Sequence, residues 1–379
     1  MVVRLSDTNE NPLALQTAVE LIDRVFVNLS NIRMIIAVFV NWDPAMYLVH
    51  SLGRVSKSQI PMILERLELH RSGAVYVQVS EDHAYPPFRR PMALFSGAIV
   101  PSFRHIAFNG VHLDWENSLL VNLTTLDLRR IPLKHVPSLP VFRSVLANNS
   151  TLRKLILDGA GPKLPDGPVA HLKPIPLPNL KGLIMGDFSL AYGTYVFTQL
   201  HAPNVIELTL MNLMVEDYSA FFKCLTPKLP ALRLLTIYNA EIKEPTNESK
   251  RALVDWLKSV PNLTYLRVSN VSAEFLNFFL YNPETLQPAS DRQKTKQIIC
   301  PKLAYLEYHA MNSDIISTWV LKRRLLGTPL EKVYVGASTA PKVNPNQQKK
   351  LFEAFGRVHK LFVLNPLAKS PEETKVLSG

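Results

Sequence analysis

Cysteine, glycine and charge are all scarce in this chain of 379 residues. It has 2 cysteines, Cys224 and Cys300, and 14 glycines. Two thiols cannot build the disulfide framework that staples small secreted domains, and such sparing use fits a reducing, intracellular compartment. So few glycines exclude a collagen-like repeat and a flexible Gly-rich linker protein. Charged residues make up 19% and hydrophobic residues 47%. That balance excludes a disordered polymer, which needs low hydrophobicity and high charge. Long apolar runs are missing as well. The most apolar stretch, residues 35–40 (IIAVFV), is far below the ~18 residues that cross a bilayer, so no membrane span is expected. The opening MVVRLSDTNENP lacks the apolar core of a secretory signal.

Leucine and proline are abundant, at 56 and 29 residues. Net charge is +11, a balance that can attract nucleic acid, acidic lipid or acidic protein. The basic residues are scattered, with only short runs such as Lys322-Arg323-Arg324, which read as solvated faces. Charge alone therefore gives no case for a nucleic-acid binder.

One pattern recurs along nearly the whole chain: a small residue or proline, a gap, then apolar-x-x-apolar-x-apolar. Copies begin at Pro61 (PMILERLEL), Pro101 (PSFRHIAF), Val121 (VNLTTLDL), Ser150 (STLRKLIL), Pro178 (PNLKGLIM) and Pro203 (PNVIELTL). They continue at Pro230 (PALRLLTI), Pro261 (PNLTYLRV), Pro301 (PKLAYLEY) and Pro329 (PLEKVYV), with a weaker copy at Arg357 and an irregular one at Asn31. Successive copies lie 20 to 40 residues apart, mostly 25 to 31, around the leucine-rich-repeat period. The last two apolar residues alternate across one position, so both face one side of a short strand. A lone strand of this kind has no pairing partner and no cover for its apolar side. Stacked copies supply both.

Between the strands lie segments of helical periodicity: 141–148, 218–225, 249–260, 273–281, 315–326 and 346–358. In the third, Leu253, Trp256, Leu257 and Val260 form one apolar stripe. The expected fold is an α/β leucine-rich-repeat solenoid, a horseshoe with a concave parallel sheet and convex helices. Residues 1–60 read as an N-terminal helix and irregular first repeat, 61–369 as the solenoid and 370–379 as a frayed polar tail. The helix expected over 13–27 either caps the first repeat or is an ordinary repeat helix whose strand lies upstream of Met1. Stretches 82–90, 162–178 and 284–296 read as surface excursions. At the ninth motif position, where many leucine-rich repeats place an asparagine ladder, this chain has Val111, Ile131, Ala160, Phe188, Leu213, Ala240, Val271 and Met311. A turn packed by apolar side chains is expected there.

Residues 64–210 resemble the basidiomycete F-box-type proteins with leucine-rich repeats. The likeness rests on LERLEL (64–69), ALFSGAIVPSFRHIAFNGVHLDW (93–115), LLVNLTTLDLRRIP (119–132), STLRKLILDGAGP (150–162) and HAPNVIELTL (201–210). It implies partner recognition as the substrate-binding repeats of a ubiquitin-ligase receptor. The family's F-box opens with Leu-Pro-x-Glu and closes on a Val-Cys-x-x-Trp-like helix, and nothing before residue 64 matches either end. Binding to the ligase adaptor is therefore not carried over.

No phosphate-binding glycine loop, nucleophile elbow or H-E-x-x-H occurs, and the 10 histidines are dispersed. No enzyme activity, metal or cofactor is expected. What the motif does offer is a face. The residues between apolar positions point away from the core, and Arg104, Arg153, Lys154, Lys181 and Arg233 give its centre a basic character. Tyr238, Tyr265, Tyr305 and Tyr334 enrich its C-terminal part. Arginine and tyrosine are common interface anchors, which fits an acidic, partly apolar protein partner. The same residues also simply solubilise a sheet and suit β structure. Three functions remain: F-box-type recognition region, stand-alone scaffold or inhibitor, and binder of nucleic acid or phosphoinositide through the basic face.

Overall fold

The computed structural model describes residues 1–56, 59–72, 88, 90–164, 172–213, 216–242, 245–288, 298–355, 362–364 and 368–378. The chain forms two compact units, residues 1–180 with 199–201, and 181–198 with 202–379.

The first unit opens with β1 (Val2–Ser6), α1 (Leu15–Phe26), β2 (Met34–Phe39) and α2 (Trp42–Gly53). Strands β3 (Arg66–Arg71), β4 (His105–Asn109) and β5 (Thr125–Arg129) follow, then α3 (Leu139–Ala147) and β6 (Lys154–Asp158). All six strands pair parallel and in chain order. A separate two-stranded ladder joins β7 (Ile175–Pro176) to β9 (Leu200–His201).

The second unit starts with β8 (Gly182–Gly186) and α4 (Leu190–Thr198), followed by β10 (Glu207–Leu213), α5 (Ser219–Leu225), β11 (Leu234–Ala240) and α6 (Asn247–Lys258). Then come β12 (Tyr265–Val271), α7 (Ala273–Asn277), β13 (Tyr305–His309), α8 (Ser313–Leu325) and β14 (Lys332–Gly336). It ends with α9 (Pro345–Phe355), β15 (Phe362–Leu364) and α10 (Pro371–Ser378). Its strands too run parallel in chain order, from β8 through β10 to β15. This is the α/β leucine-rich-repeat fold that the motif implies.

The motif leucines explain the order. Leu64, Leu67 and Leu69 have no exposed surface, and neither do Leu232, Leu235 and Ile237 in a later copy. At about 1.5–3 kcal/mol per buried large side chain, three per repeat is the main force stacking the strands. Leu253, Trp256, Leu257 and Val260 are all buried on one side of α6 or just past its end, as their spacing requires. Serine, threonine and asparagine stop the helices from unravelling. Thr246 accepts from the Ser249 amide at 3.1 Å, and Ser272 from the Phe275 amide at 3.3 Å.

Several expectations change. α1 follows a strand that lies within the chain rather than upstream of Met1: β1, paired with β2 from Val2 opposite Met34. The tail is not frayed: residues 371–378 are helix α10, seated on the sheet of the second unit by apolar contacts and ion pairs. The turn after the strand is not uniformly apolar either. One position before the expected site, the backbone takes a left-handed conformation at Gly110, Arg130, Gly159, Asp187, Asn212, Asn239, Asn270 and Ala310. Within the second unit these residues make a ladder. Asn270 Nδ2 donates to Asn239 Oδ1 at 3.1 Å, Asn239 Nδ2 to Asn212 Oδ1 at 2.8 Å, and Asn212 Nδ2 to Asp187. Short amides tolerate this conformation, and here they also tie neighbouring repeats together. Residues 82–87 and 89 of one expected excursion lie outside the described residues, as do 165–171, 289–297 and the start of the copy at Arg357.

Candidate functional site

In a strand the residue between two inward leucines must face the other way. Each unit therefore presents, on the side away from its repeat helices, a face made of three columns in register. In the first unit the outer column is Arg66, His105, Thr125 and Lys154, and the middle one Glu68, Ala107, Asp127 and Ile156. His70, Asn109, Arg129 and Asp158 form the third. Glu68 is the hub. Its carboxylate meets His105 Nε2 at 3.0 Å, His70 Nε2 at 3.4 Å and Arg66 Nε at 2.6 Å. Hydrogen bonds from His105 and His70, and then Arg66, hold its pKa well below the usual carboxylate range against the opposing effect of burial. Asp127 takes both ends of the Arg129 guanidinium, at 2.7 and 3.1 Å. Arg104 and Arg153 stand exposed at the strand starts. Arg104 Nη1 donates only to the Pro101 and Phe103 carbonyls, and neither arginine is in an ion pair among the described residues. Lys154 is half-buried in the outer column.

The second unit's face is built differently. Its middle column reads Ile184, Thr209, Thr236, Arg267, Glu307 and Tyr334. Glu307 is only 3% exposed. It accepts from Arg267 Nε at 2.9 Å, His309 Nε2 at 2.6 Å and the Tyr265 hydroxyl at 2.7 Å. Burial pushes its pKa up, but these three donors more than compensate and leave it below the usual value. Gly336 makes room for His309, because a Cβ there would stand 2.0 Å from the ring nitrogen Nδ1.

α10 lies on this network. Arg267 Nη2 donates to Glu373 at 2.6 Å, and Lys332 and the Tyr334 hydroxyl both reach Glu372. Val376 packs with Leu234, Tyr265, Tyr334 and Leu364, with Leu377 and Tyr305 at the margin. Beside the helix a cavity of about 560 Å³ is lined by Arg233, Thr264, Lys302, Tyr305, Lys375 and Val376, among others.

The nine residues singled out from sequence thus divide. Arg104, Arg153 and Lys181 are exposed and Lys154 is half-buried. Arg233 and Tyr305 flank the cavity beside α10, and Tyr238 is half-buried in the third column. Tyr265 and Tyr334, at 0% and 3% exposure, lie beneath α10, where they grip the chain's own helix. Of the middle column only Tyr334 is among those singled out, although Glu68, Asp127, Arg267 and Glu307 stand in the same single slot between paired apolar residues.

Chemistry elsewhere is muted. Cys300 is fully buried and its thiol is pushed up to about 12 by desolvation. Asp114 accepts from the amide and side chain of Asn117 in a turn, and Trp115 Nε1 donates to the His135 carbonyl at 2.8 Å. Arg323, part of the supposed solvated run, is completely buried and donates to the Phe279, Ile299 and Cys300 carbonyls. Among the described residues no cluster of three metal-ligating side chains occurs, and no helix is long and apolar enough to cross a membrane.

No family model matches the chain, and no curated protein matches it. Among solved structures it is similar to the leucine-rich-repeat-containing protein LegL7 from Legionella pneumophila, with 14% identity and a TM-score of 0.40. The match covers 95% of this chain and 91% of that one.

Proposed function

We propose that this chain is a non-catalytic protein-interaction module that takes its partner on the sheet face away from its repeat helices. The observation that carries this reading is that Arg104 and Arg153 stand exposed at the starts of in-register strands of the first unit, in no ion pair among the described residues. Arginines displayed on a fixed scaffold are suited to anchoring an acidic protein surface. The finer reading is the substrate-recognition part of an F-box-type ubiquitin-ligase receptor, supported by the sequence blocks between residues 64 and 210. A second reading is a scaffold or inhibitor acting without the ligase.

Affinity capture from the source cell's extract at two salt concentrations, using the full chain and its Arg104→Glu/Arg153→Glu variant, tests this. A salt-resistant protein that the native chain holds and the variant loses supports the interaction module. Co-capture of the ligase adaptor and cullin would select the receptor reading. Capture unchanged by the double reversal overturns the assigned face. Retention only of nucleic acid or phosphoinositide, falling steeply with salt, overturns the protein partner.

A further inference from the structure

The second unit's face has an occupant whose chemistry can be read residue by residue. α10 has the sequence PEETKVLS, with two acids in its first turn and an apolar pair in its last. Glu372 and Glu373 engage Lys332, Tyr334 and Arg267, while Val376 and Leu377 pack on Leu234, Tyr265, Tyr334, Leu364 and Tyr305. Ser370 closes the start, its Oγ donating to the Tyr265 oxygen at 3.2 Å and accepting from the Glu373 amide at 2.9 Å. Eight residues are well short of the ~12–15 that an isolated helix needs in water, so the face itself keeps this segment helical.

The fit is incomplete in one direction. The cavity beside α10 has Arg233 and Lys302 on the sheet side, and the helix contributes Lys375, a third cation. There Arg233 Nη1 donates to the Val376 carbonyl at 3.5 Å and Lys302 Nζ to Asn262 Oδ1 at 2.8 Å, and among the described residues neither cation meets a carboxylate. A helix carrying an acid in place of Lys375 would complement that cavity better than the chain's own segment does.

The geometry points to α10 as an internal stand-in for a partner helix. This deepens the interaction-module reading and rests on it. The second unit's face binds an amphipathic helix with paired acids one turn ahead of an apolar pair and a further acid facing Arg233 and Lys302. α10 occupies the face until that partner displaces it.

The test uses the full chain, native and with α10 released by Glu373→Lys/Val376→Asp. Each is titrated with labelled synthetic peptides spanning residues 368–379, read by fluorescence anisotropy. Hydrogen exchange reports in parallel on strands β11 to β14. The released chain should bind the native-sequence peptide at least tenfold more tightly than the native chain does. A Lys375→Glu peptide should bind severalfold more tightly again, and a Glu372→Gln/Glu373→Gln peptide should lose binding.

Equal binding to both chains, or none to a released chain whose strands stay protected, overturns the inference. Loss of protection across those strands on release also overturns it, because α10 is then a fixed part of the core. Dimers of the released chain that exclude the peptide would make the occupant a second copy of this chain and overturn the partner assignment. Capture through Arg104 and Arg153 is read separately, so the interaction module can survive any of these failures.

Discussion

The two units carry the same strand grammar but treat their outward faces differently. In the first, Glu68 gathers His105, His70 and Arg66 around a charge whose partners still touch solvent. In the second, Glu307 is nearly sealed between Arg267, His309 and Tyr265, with α10 above. The lesson is about what a buried carboxylate requires. A charge removed from water must find its compensation inside the protein, so the covered face commits whole side chains to a network, while the open face leaves arginines to spare.

That contrast can be broken most forcefully at the two hubs. Glu307→Ala should cost about 3–5 kcal/mol, because Arg267 is left buried beside an unfilled site. Glu68→Ala should cost about 1 kcal/mol, since its partners can turn to water. Urea denaturation of both variants measures the difference, and equal losses would show that the cover over the second face is immaterial.

Acid sharpens the comparison from the first unit's side. His112 is 1% exposed and stacked on His135 with ring centroids 4.3 Å apart, and neither ring nitrogen has a protein partner among the described residues. Desolvation, helped by His135 and Lys134, lowers its pKa to about 3. Below the usual value near 6.5 the unfolded chain takes up a proton that the folded one refuses. Stability is therefore whole above pH 6.5 and falls as pH drops toward 3, by about 2 kcal/mol at pH 5. His112→Phe should flatten the slope between pH 7 and pH 5. The carboxylate hubs, whose depressed values matter only at lower pH, should leave that window untouched.

A smaller effect compares the turns. Arg130 in the first unit and Ala310 in the second hold left-handed backbone with φ of 54° and 48° and no amide to reward it. Ala310→Gly should raise stability by about 1 kcal/mol by removing the strain on its Cβ. The same change at Asn239 should lower it, because the ladder bonds go with the side chain. Smallest of all, Arg104→Glu/Arg153→Glu should shift the unfolding midpoint by no more than about 0.5 kcal/mol equivalent, since both residues are exposed.

Much of the fold was legible because it repeats. The inward leucines announce each strand, and six helices fall where their periodicity places them. β1 and α2 escaped because one copy, VVRLS, is too short to show a motif and the other segment lacks a clean stripe. The face was half legible. The outward positions at the strand starts stand out from sequence, whereas the slot between the paired apolar residues is conspicuous only at Tyr334, although strand alternation alone assigns it outward. Glu307 and Arg267 would have stood out there as an opposite pair in adjacent copies. The cover was hidden for another reason. PEETKVLS has the polarity of a frayed end, and only the tertiary face, not local propensity, makes it a helix. The asparagine ladder lay one residue away from the position searched. Its signal was Gly, Asp and Asn recurring after the strand, the residue types that accept left-handed backbone.

That ladder has a direction. Each amide donates toward the earlier repeat, Asn239 and Asn212 also accept from the later one, and Asp187 only accepts. The order cannot survive conversion of a middle amide to an acid. If Asn239 lost its amide nitrogen to water, a carboxylate oxygen would face the Asn212 carbonyl oxygen with no hydrogen between them. Slow chemical ageing would then be felt as a loosened seam between β10 and β11, with every leucine of the core still in place.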